Sequence, residues 1–319
     1  MINRIIDVHA RVWNSPEQFG QEISRLLRLR EADRWVRLDA SSAALERSSS
    51  CTDVALVHGF RADAMGAYVP HELVAEFVRA EPRRRLGVGG IDPMGRDPLG
   101  QVQSAADLGL VAIAVSPMCQ GFHPTHSAAM RVYERCAALG LPIFAVRGVP
   151  LTTGAILEFG RPSAWDEVAR NFPSLGLVIG ELGYPWIDEA LVLSGKHANV
   201  WTEISGVVSR PWQLYNALLT AVSLGVMDKL LFGSGFPHED PARAIENLYS
   251  LNAFGHGTQL PSVPRSAIRA IVERDALRAL RLDVDVLGPL GRPIEEEPDD
   301  EVPSGMRTRS RAPRAGGDR

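Results

Sequence analysis

The sequence predicts an α/β protein, a single-domain (β/α)8 or TIM barrel followed by a disordered C-terminal tail. Short apolar runs alternate with amphipathic stretches, which is typical of parallel strands joined by crossover helices. Eight such apolar runs can be identified, and a closed barrel of this kind needs eight strands. The chain has 319 residues, 45% of them hydrophobic. That is ample for a barrel that commonly uses about 250 residues as one domain.

The elements follow one another in the order that such a barrel requires. The eight predicted strands are Ile2–Val8, Val54–Gly59, Leu86–Ile91, Leu110–Val115, Ile143–Arg147, Leu175–Glu181, Val200–Ile204 and Lys229–Gly233. Helical patterns between them include His71–Ala80, Ala128–Leu139, Ala164–Asn171 and Trp212–Leu224. Residues 14–52 are too many for a plain connection, so we expect them to carry helices of their own.

The composition changes after about residue 285. An acidic block at 295–301 is followed by a Ser/Pro/Gly-rich segment in which arginines recur at Arg307, Arg309, Arg311 and Arg314. Such a segment cannot bury enough apolar surface to offset its ordering entropy, so we expect it to be disordered. The sequence therefore divides into a barrel at 1–285 and a charged tail at 286–319.

Charge and cysteine content limit the function classes. The net charge of −4 gives no electrostatic case for binding nucleic acid or an anionic membrane. No uninterrupted apolar stretch is long enough to span a bilayer, and no signal-type segment opens the chain. Three widely separated cysteines, Cys51, Cys119 and Cys136, favour a reducing compartment over a disulfide framework or a zinc cluster. These features predict a cytoplasmic protein.

An ordered series of short motifs extends over nearly all of residues 1–283. They are Ile6-Asp7-Val8-His9, Gly90-Ile91-Asp92-Pro93, Gly121-Phe122-His123-Pro124, Leu141-Pro142-Ile143, Leu182-Gly183-Tyr184-Pro185-Trp186, Asn199-Val200-Trp201 and Phe232-Gly233-Ser234-Gly235-Phe236-Pro237. In this order the chain resembles the amidohydrolase-related family of (β/α)8 barrels, the group with aminocarboxymuconate-semialdehyde decarboxylase and resorcylate-type decarboxylases. The resemblance implies hydrolase or decarboxylase chemistry at a metal site.

Most of the metal and catalytic residues that the resemblance implies are replaced. His9 matches the first histidine of the family's His-x-His pair, but Arg11 stands at the second. Val146 stands where similar proteins place a further ligating histidine. Glu181 replaces a histidine that assists catalysis, and Gly235 replaces an aspartate that binds the metal or acts as its base. Catalytic zinc needs about three protein ligands, and a guanidinium offers no lone pair. The sequence therefore predicts neither a metal nor another cofactor, although His58, His238 or Glu203 could complete an unorthodox ligand set.

The remaining polar residues define a predicted site at the mouth of the barrel. Glu181 and His9 are the candidate catalytic residues. Glu181 could act as a general base, because burial raises a carboxyl pKa, or could form a charge-assisted ion pair with Arg11. His9 could act as an acid or base, but we favour an imidazole that is hydrogen-bonded in a polar mouth. The candidate ligand-binding residues are Arg11, His58, Arg147, Trp186 and His238, of which Arg147 could instead form a structural ion pair.

Three functions are compatible with this site. The leading hypothesis is a metal-free, non-catalytic structural or regulatory subunit, in a homo-oligomer or paired with an active paralogue. The second is a metal-independent hydrolase or non-oxidative decarboxylase acting on a small aromatic carboxylate, with Arg11 stabilising its carboxylate or a developing oxyanion. The third is a small-carboxylate binding protein, because the mouth of a barrel is a ready concave pocket. None of the three involves nucleic acid or a membrane.

Overall fold

A computed structural model describes residues 4–34, 38–148 and 152–282. The predicted disordered tail at 286–319 lies outside the described residues. Within them the chain forms ten strands: β1 (Ile6–Arg11), β2 (Val54–His58), β3 (Arg61–Ala62), β4 (Ala67–Tyr68), β5 (Arg85–Gly90), β6 (Ala112–Val115), β7 (Ile143–Ala145), β8 (Leu177–Ile179), β9 (Val200–Glu203) and β10 (Leu230–Leu231). β3 and β4 form a small antiparallel hairpin, and the other eight form one parallel sheet in the order β1-β2-β5-β6-β7-β8-β9-β10.

Backbone hydrogen bonds between the two ends of this sheet close it into a barrel. Val8 N–H donates to the carbonyl of Phe232 at 2.9 Å, and Gly235 N–H donates to the carbonyl of His9 at 2.9 Å. The residues that follow β10 therefore continue it alongside β1. The predicted (β/α)8 barrel is confirmed.

The helices cover the outside of the barrel. The α-helices of the described residues are α1 (Gly20–Arg34), α2 (Ser42–Ser48), α3 (His71–Ala80), α4 (Pro98–Asp107), α5 (Pro117–Gln120), α6 (Ser127–Leu139), α7 (Asp166–Asn171), α8 (Ile187–Lys196), α9 (Ser205–Val208), α10 (Pro211–Leu224), α11 (Pro241–Tyr249), α12 (Arg265–Val272) and α13 (Ala276–Ala279). Short 3-10 turns are found at Pro16–Phe19, Ser49–Cys51, Asp63–Met65, Leu157–Gly160, Pro162–Trp165, Gly180–Gly183, Met227–Lys229 and Leu251–Gly255. None of the helices among the described residues is both long enough and apolar enough to cross a membrane.

The strand bounds correct the predicted ones mainly at the mouth of the barrel. β1 runs on to Arg11, beyond the predicted end at Val8, because β2 and the residues after β10 flank it on both sides. β7 and β8 end before the predicted Arg147 and Glu181. These two polar residues leave the sheet where the chain turns over the rim, so their side chains are not constrained by strand alternation.

Candidate functional site

Five polar side chains gather at the carboxyl ends of the strands, where barrels of this class place their active sites. Arg11, His58 and Glu203 are the last residues of β1, β2 and β9. Arg147 and Glu181 lie two residues beyond β7 and β8. All are buried except Arg147, which is half-buried. The barrel therefore brings together residues that are up to 192 positions apart in the chain (from 11 to 203).

Arg11 lies at the centre of a hydrogen-bonded network. Its Nε donates to Nε2 of His9 at 3.1 Å, and its Nη2 donates to Oε1 of Glu181 at 2.7 Å. The expected pair between Arg11 and Glu181 is therefore confirmed. A guanidinium only donates. It thus binds the imidazole nitrogen and the carboxylate oxygen that would otherwise be available to a metal.

Glu181 is held by a second guanidinium as well. Arg147 Nε donates to its other oxygen, Oε2, at 2.5 Å. Burial alone would raise the pKa of Glu181, but the charges of Arg147 and Arg11 outweigh it and lower that pKa to about 2. The carboxylate is therefore ionised and paired at both oxygens. Of the two roles predicted for Glu181 and for Arg147, the structure shows the ion pair.

The hydrogen bonds of His9 fix which of its nitrogens carries the proton. Nε2 accepts from Arg11, so it is unprotonated. Nδ1 lies 2.9 Å from Oε1 of Glu203 and 3.2 Å from Oγ of Ser205. Nδ1–H therefore donates to the Glu203 carboxylate, and Ser205 Oγ donates to the same oxygen at 3.0 Å. Both nitrogens of this buried ring are engaged.

Glu203 and Ser205 belong to this network, although the sequence suggested Glu203 only as a possible metal ligand and did not suggest Ser205. Glu203 is fully buried and also accepts from the backbone N–H groups of Glu181 at 2.6 Å and Ser205 at 2.7 Å. Strand alternation alone does not settle which way the last residue of a strand faces, so the sequence left Glu203 unassigned. The structure explains why residue 233 is a glycine: a Cβ at this position would lie 2.5 Å from Oε2 of Glu203. This glycine leaves room for the carboxylate.

The backbone at Glu181 adopts a left-handed conformation. Glu181 and Leu182 have φ angles of 57° and 51°, followed by Gly183 at 63°. Non-glycine residues rarely adopt such angles, and the conformation costs on the order of 1–3 kcal/mol per residue. The ion pairs of Glu181, and the hydrogen bond from its backbone N–H to Glu203, offset the energetic cost of this conformation. The side chain is thereby turned into the barrel mouth.

His58 lies deeper than its predicted ligand-binding role requires. Its ring stacks on His9 with centroids 4.5 Å apart and meets Phe144 edge-on. Nε2 donates to the carbonyl of Val8 at 2.8 Å, while Nδ1 is buried without a hydrogen-bond partner among the described residues. Burial, and then the neighbouring His9, lower the pKa of His58 well below its usual value. His58 is therefore a neutral ring in the core below the mouth.

Two other predicted ligand-binding residues lie on loops. Trp186 is half-buried, and its ring lies 5.8 Å from the guanidinium carbon of Arg161. His238 is half-buried with its ring 6.3 Å from that of Trp13. The structure shows no ligand contact for either residue, so their binding roles stay predictions.

An open cleft lies beside the network, on the side of β7 and β8. Its lining includes Arg147, Tyr184, Met118, Phe159 and Trp165. Its side chains are apolar apart from the guanidinium of Arg147 and the phenol of Tyr184, and backbone groups add polar surface. Trp186, a predicted ligand-binding residue, is outside this lining.

A third guanidinium lies next to the cleft. Arg210 has its guanidinium carbon 4.4 Å from the ring centroid of Tyr184, and that of Arg147 lies 5.5 Å from the same ring. No carboxylate among the described residues forms a salt bridge with Arg210. The network and the cleft together contain three guanidinium groups, those of Arg11, Arg147 and Arg210. They contain two carboxylates, those of Glu181 and Glu203. The guanidinium groups therefore outnumber the carboxylates by one.

The residues present do not fit the metal that the resemblance implies. The Nε2 lone pair of His9 is taken by Arg11, and the buried Val146 has no donor atom. Gly235 has a φ of 78°, and a Cβ there would lie 3.2 Å from Cβ of Ser205, so an aspartate at this position would be strained. Across the described ranges, no three His, Cys, Asp or Glu side chains are grouped so that they could hold a metal ion.

Comparison with known proteins supports the resemblance. A sequence model described as "Amidohydrolase" matches residues 6–282. No curated protein matches the chain.

Several solved structures share the fold at low sequence identity. An uncharacterized TIM-barrel protein from Bordetella bronchiseptica is 18% identical, with a TM-score of 0.65 over 87% of this chain and 98% of that one. A probable 2-pyrone-4,6-dicarboxylic acid hydrolase from Acinetobacter baumannii, with citric acid bound, is 14% identical, with a TM-score of 0.62 over 87% and 99%. A dihydroxybenzoic acid decarboxylase from a Polaromonas species, with manganese and 2-nitroresorcinol bound, is 14% identical, with a TM-score of 0.57 over 89% and 98%. At these identities the likeness shows the fold alone.

Proposed function

This chain belongs to the amidohydrolase family, and we propose that within that family it is a non-catalytic barrel, serving as a structural or regulatory subunit beside an active relative. The observation that carries the proposal is the position of the Arg11 guanidinium. It donates to His9 and to Glu181 at once, and so takes up the two groups that metal or acid–base chemistry would use. In this proposal the Arg11 guanidinium, a cation that is part of the chain, takes the place of an exchangeable metal ion.

The protonation states of the network argue against the metal-independent enzyme. A general base works best when its pKa lies near the operating pH. Glu181, with a pKa of about 2 and a guanidinium on each oxygen, is a poor base near neutrality. His9 has no free lone pair, because its one unprotonated nitrogen accepts from Arg11. Either residue would have to break an ion pair or a buried hydrogen bond before it could accept a proton.

The same network would compensate the buried charges of a barrel mouth that holds no metal. Buried ionised groups are costly unless each is paired and hydrogen-bonded. Here Arg11 pairs with Glu181, and Glu203 accepts from His9, from the Ser205 hydroxyl and from two backbone N–H groups. Such a mouth is consistent with a family member retained for its surface and its fold.

The test measures turnover by a metal-bearing family member from the same cell, with and without this chain. We expect the chain alone to turn over no aryl carboxylate or lactone, and the Glu181→Gln variant to behave identically. We also expect its addition to change the turnover or the thermal stability of the active relative. Turnover by the chain alone that disappears in Glu181→Gln would contradict the proposal.

A second function, small-carboxylate binding, is favoured by Arg210 and the cleft. The excess positive charge at Arg147 and Arg210 suits an anion, and the apolar lining suits its hydrocarbon part. The Acinetobacter baumannii relative was solved with citric acid bound. We expect citrate or benzoate to raise the melting temperature, and Arg210→Gln to weaken binding about 10-fold, since a charge-assisted hydrogen bond is lost. Arg79→Gln, an exposed arginine at the far end of α3, is the matched control. Equal binding by both variants would exclude this site.

A further inference from the structure

The cleft beside the network contains guanidinium N–H groups that the barrel itself does not use. The Arg210 guanidinium forms no hydrogen bond or salt bridge with any other described residue, and its carbon lies 4.4 Å from the ring centroid of Tyr184. Arg147 binds Glu181 through Nε and Nη2, and no described residue accepts from its Nη1. Both arginines are half-buried, so water solvates them incompletely. These donors are therefore available to an anion that enters the cleft.

The remaining side chains of the cleft suit apolar groups. Its lining includes Met118, Phe159 and Trp165. An occupant that satisfies the whole cleft therefore carries carboxylates and apolar side chains close together. Residues 294–302 of this chain, which lie outside the described residues, have that composition. Six carboxylates stand between Ile294 and Val302, with Pro298 among them.

The chain leaves the described residues at Leu282, near the amino ends of the strands. Arg274 Nε donates to the carbonyl of Leu230, the first residue of β10, at 3.0 Å, and α13, which follows, contacts β1. The mouth lies at the other end of the strands, about 20 Å away for the six residues of β1. Residues 283–294 are twelve residues, which span at most about 40 Å when fully extended. The acidic block at 295–301 can therefore reach the mouth of its own barrel.

We propose that the acidic block at 295–301 binds in the cleft of its own barrel and competes there with small carboxylates. Its carboxylates accept from Arg210 and from the free edge of Arg147, and its apolar neighbours suit the lining. Because the block is attached to the barrel, its effective concentration is on the order of millimolar, so weak contacts suffice. Fully exposed arginines elsewhere offer it less, since ion pairs in water contribute little. The inference rests on the second proposed function, because the block regulates the same cleft.

The test measures, by fluorescence anisotropy, the binding of a fluorescein-labelled peptide with the sequence of residues 293–303 to four forms of the full chain. The first is wild type. The second, the neutralised chain, carries Glu295→Gln, Glu296→Gln, Glu297→Gln, Asp299→Asn, Asp300→Asn and Glu301→Gln. The third adds Arg210→Gln to the neutralised chain, and its matched control adds Arg79→Gln, at an exposed arginine on α3, instead. Circular dichroism checks that each variant is folded.

We expect the peptide to bind the neutralised chain about 10-fold more tightly than wild type, in which the attached block already occupies the cleft. Arg210→Gln should weaken binding to the neutralised chain about 10-fold, because a charge-assisted hydrogen bond is lost, whereas Arg79→Gln should leave it unchanged. Equal binding by wild type and the neutralised chain, or by the Arg210 and Arg79 variants, would overturn the proposal. So would a wild-type dimer in sedimentation velocity that the neutralised chain does not form, since the block would then bind a second copy.

Citrate binding to the neutralised chain separates this inference from the function on which it rests. Citrate that binds while the peptide does not would leave small-carboxylate binding intact and overturn the inference alone. A peptide that binds while citrate does not would exclude the small-carboxylate function and leave the block as the ligand of the cleft. Binding of neither would overturn both.

Discussion

At the scale of single residues, the contacts of Arg11 account for the chemistry of the mouth. A guanidinium stays protonated and cannot exchange with solvent as a metal does. It is attached to β1 and satisfies His9 and Glu181 in fixed directions. The cation is therefore part of the chain, and its energetic contribution can be measured by removing the members of the network one at a time.

The first prediction concerns the Arg11–Glu181 pair. Arg11→Ala should lower the free energy of unfolding by about 3 kcal/mol, because it leaves a buried carboxylate with one guanidinium and an unbonded His9 nitrogen. Arg11→Ala combined with Glu181→Ala should be clearly more stable than the single variant, because the uncompensated charge is then absent. Urea unfolding measures both. Equal stability of the single and double variants would show that the pair is not coupled.

The second prediction concerns pH and His58. Because burial lowers the pKa of His58, the unfolded chain takes up a proton below about pH 6.5 that the folded chain does not. Stability should therefore fall as the pH drops from 6.5, by up to about 1.4 kcal/mol per pH unit for this group. Urea unfolding at pH 7.5, 6.5 and 5.5 should show a shallower loss for His58→Gln than for wild type. His256→Gln, at an exposed histidine, should follow wild type. Parallel curves for His58→Gln and wild type would refute this account.

At the scale of elements, the periodic segments could be predicted and the rim of the barrel could not. The strands and helices have apolar patterns that match their burial, and α3 begins and ends at the predicted residues. The long stretch at 14–52 does carry helices, α1 and α2, as expected. Only local sequence information is needed for these assignments.

The rim depends on contacts that are distant in sequence. Glu203 joins the network because β1 brings His9 beside it across 194 residues, and Glu181 turns inward because its φ is positive. Neither fact can be read from strand alternation, so the sequence suggested Glu203 only as a possible metal ligand and missed Ser205. The Arg11–Glu181 pair was one of the two alternatives that the sequence left for Glu181, because the two residues have opposite charges, and the structure shows this pair.

The third prediction concerns a glycine that leaves room for this network. In Gly233→Ala the new Cβ would lie 2.5 Å from Oε2 of Glu203, so the carboxylate or the backbone must move. The expected cost is about 1–3 kcal/mol of stability, the usual range for overpacking. Gly154→Ala, where a Cβ would meet Met65 at an ordinary 3.7 Å, is the control. Thermal melts of equal midpoint would show that the space beside Glu203 is not needed.

At the scale of the whole molecule, the chain has the barrel of its family, and its mouth holds a network of side chains that bind one another. The family match extends over residues 6–282, and the solved relatives share the fold at 14–18% identity. The fold therefore follows from the buried pattern of the whole chain, whereas function depends on a few side chains at the strand ends. In this chain those side chains bind one another.

The most direct test of this account is the metal content of the purified chain after incubation with zinc or manganese and desalting, measured by elemental analysis. Because Arg11 donates to Nε2 of His9 and to Oε1 of Glu181, we expect well under about 0.1 metal ion per chain, far below the single ion of a mononuclear catalytic site. Near-stoichiometric metal that is lost in His9→Ala would contradict the account, since it would show that the guanidinium yields its place to a metal.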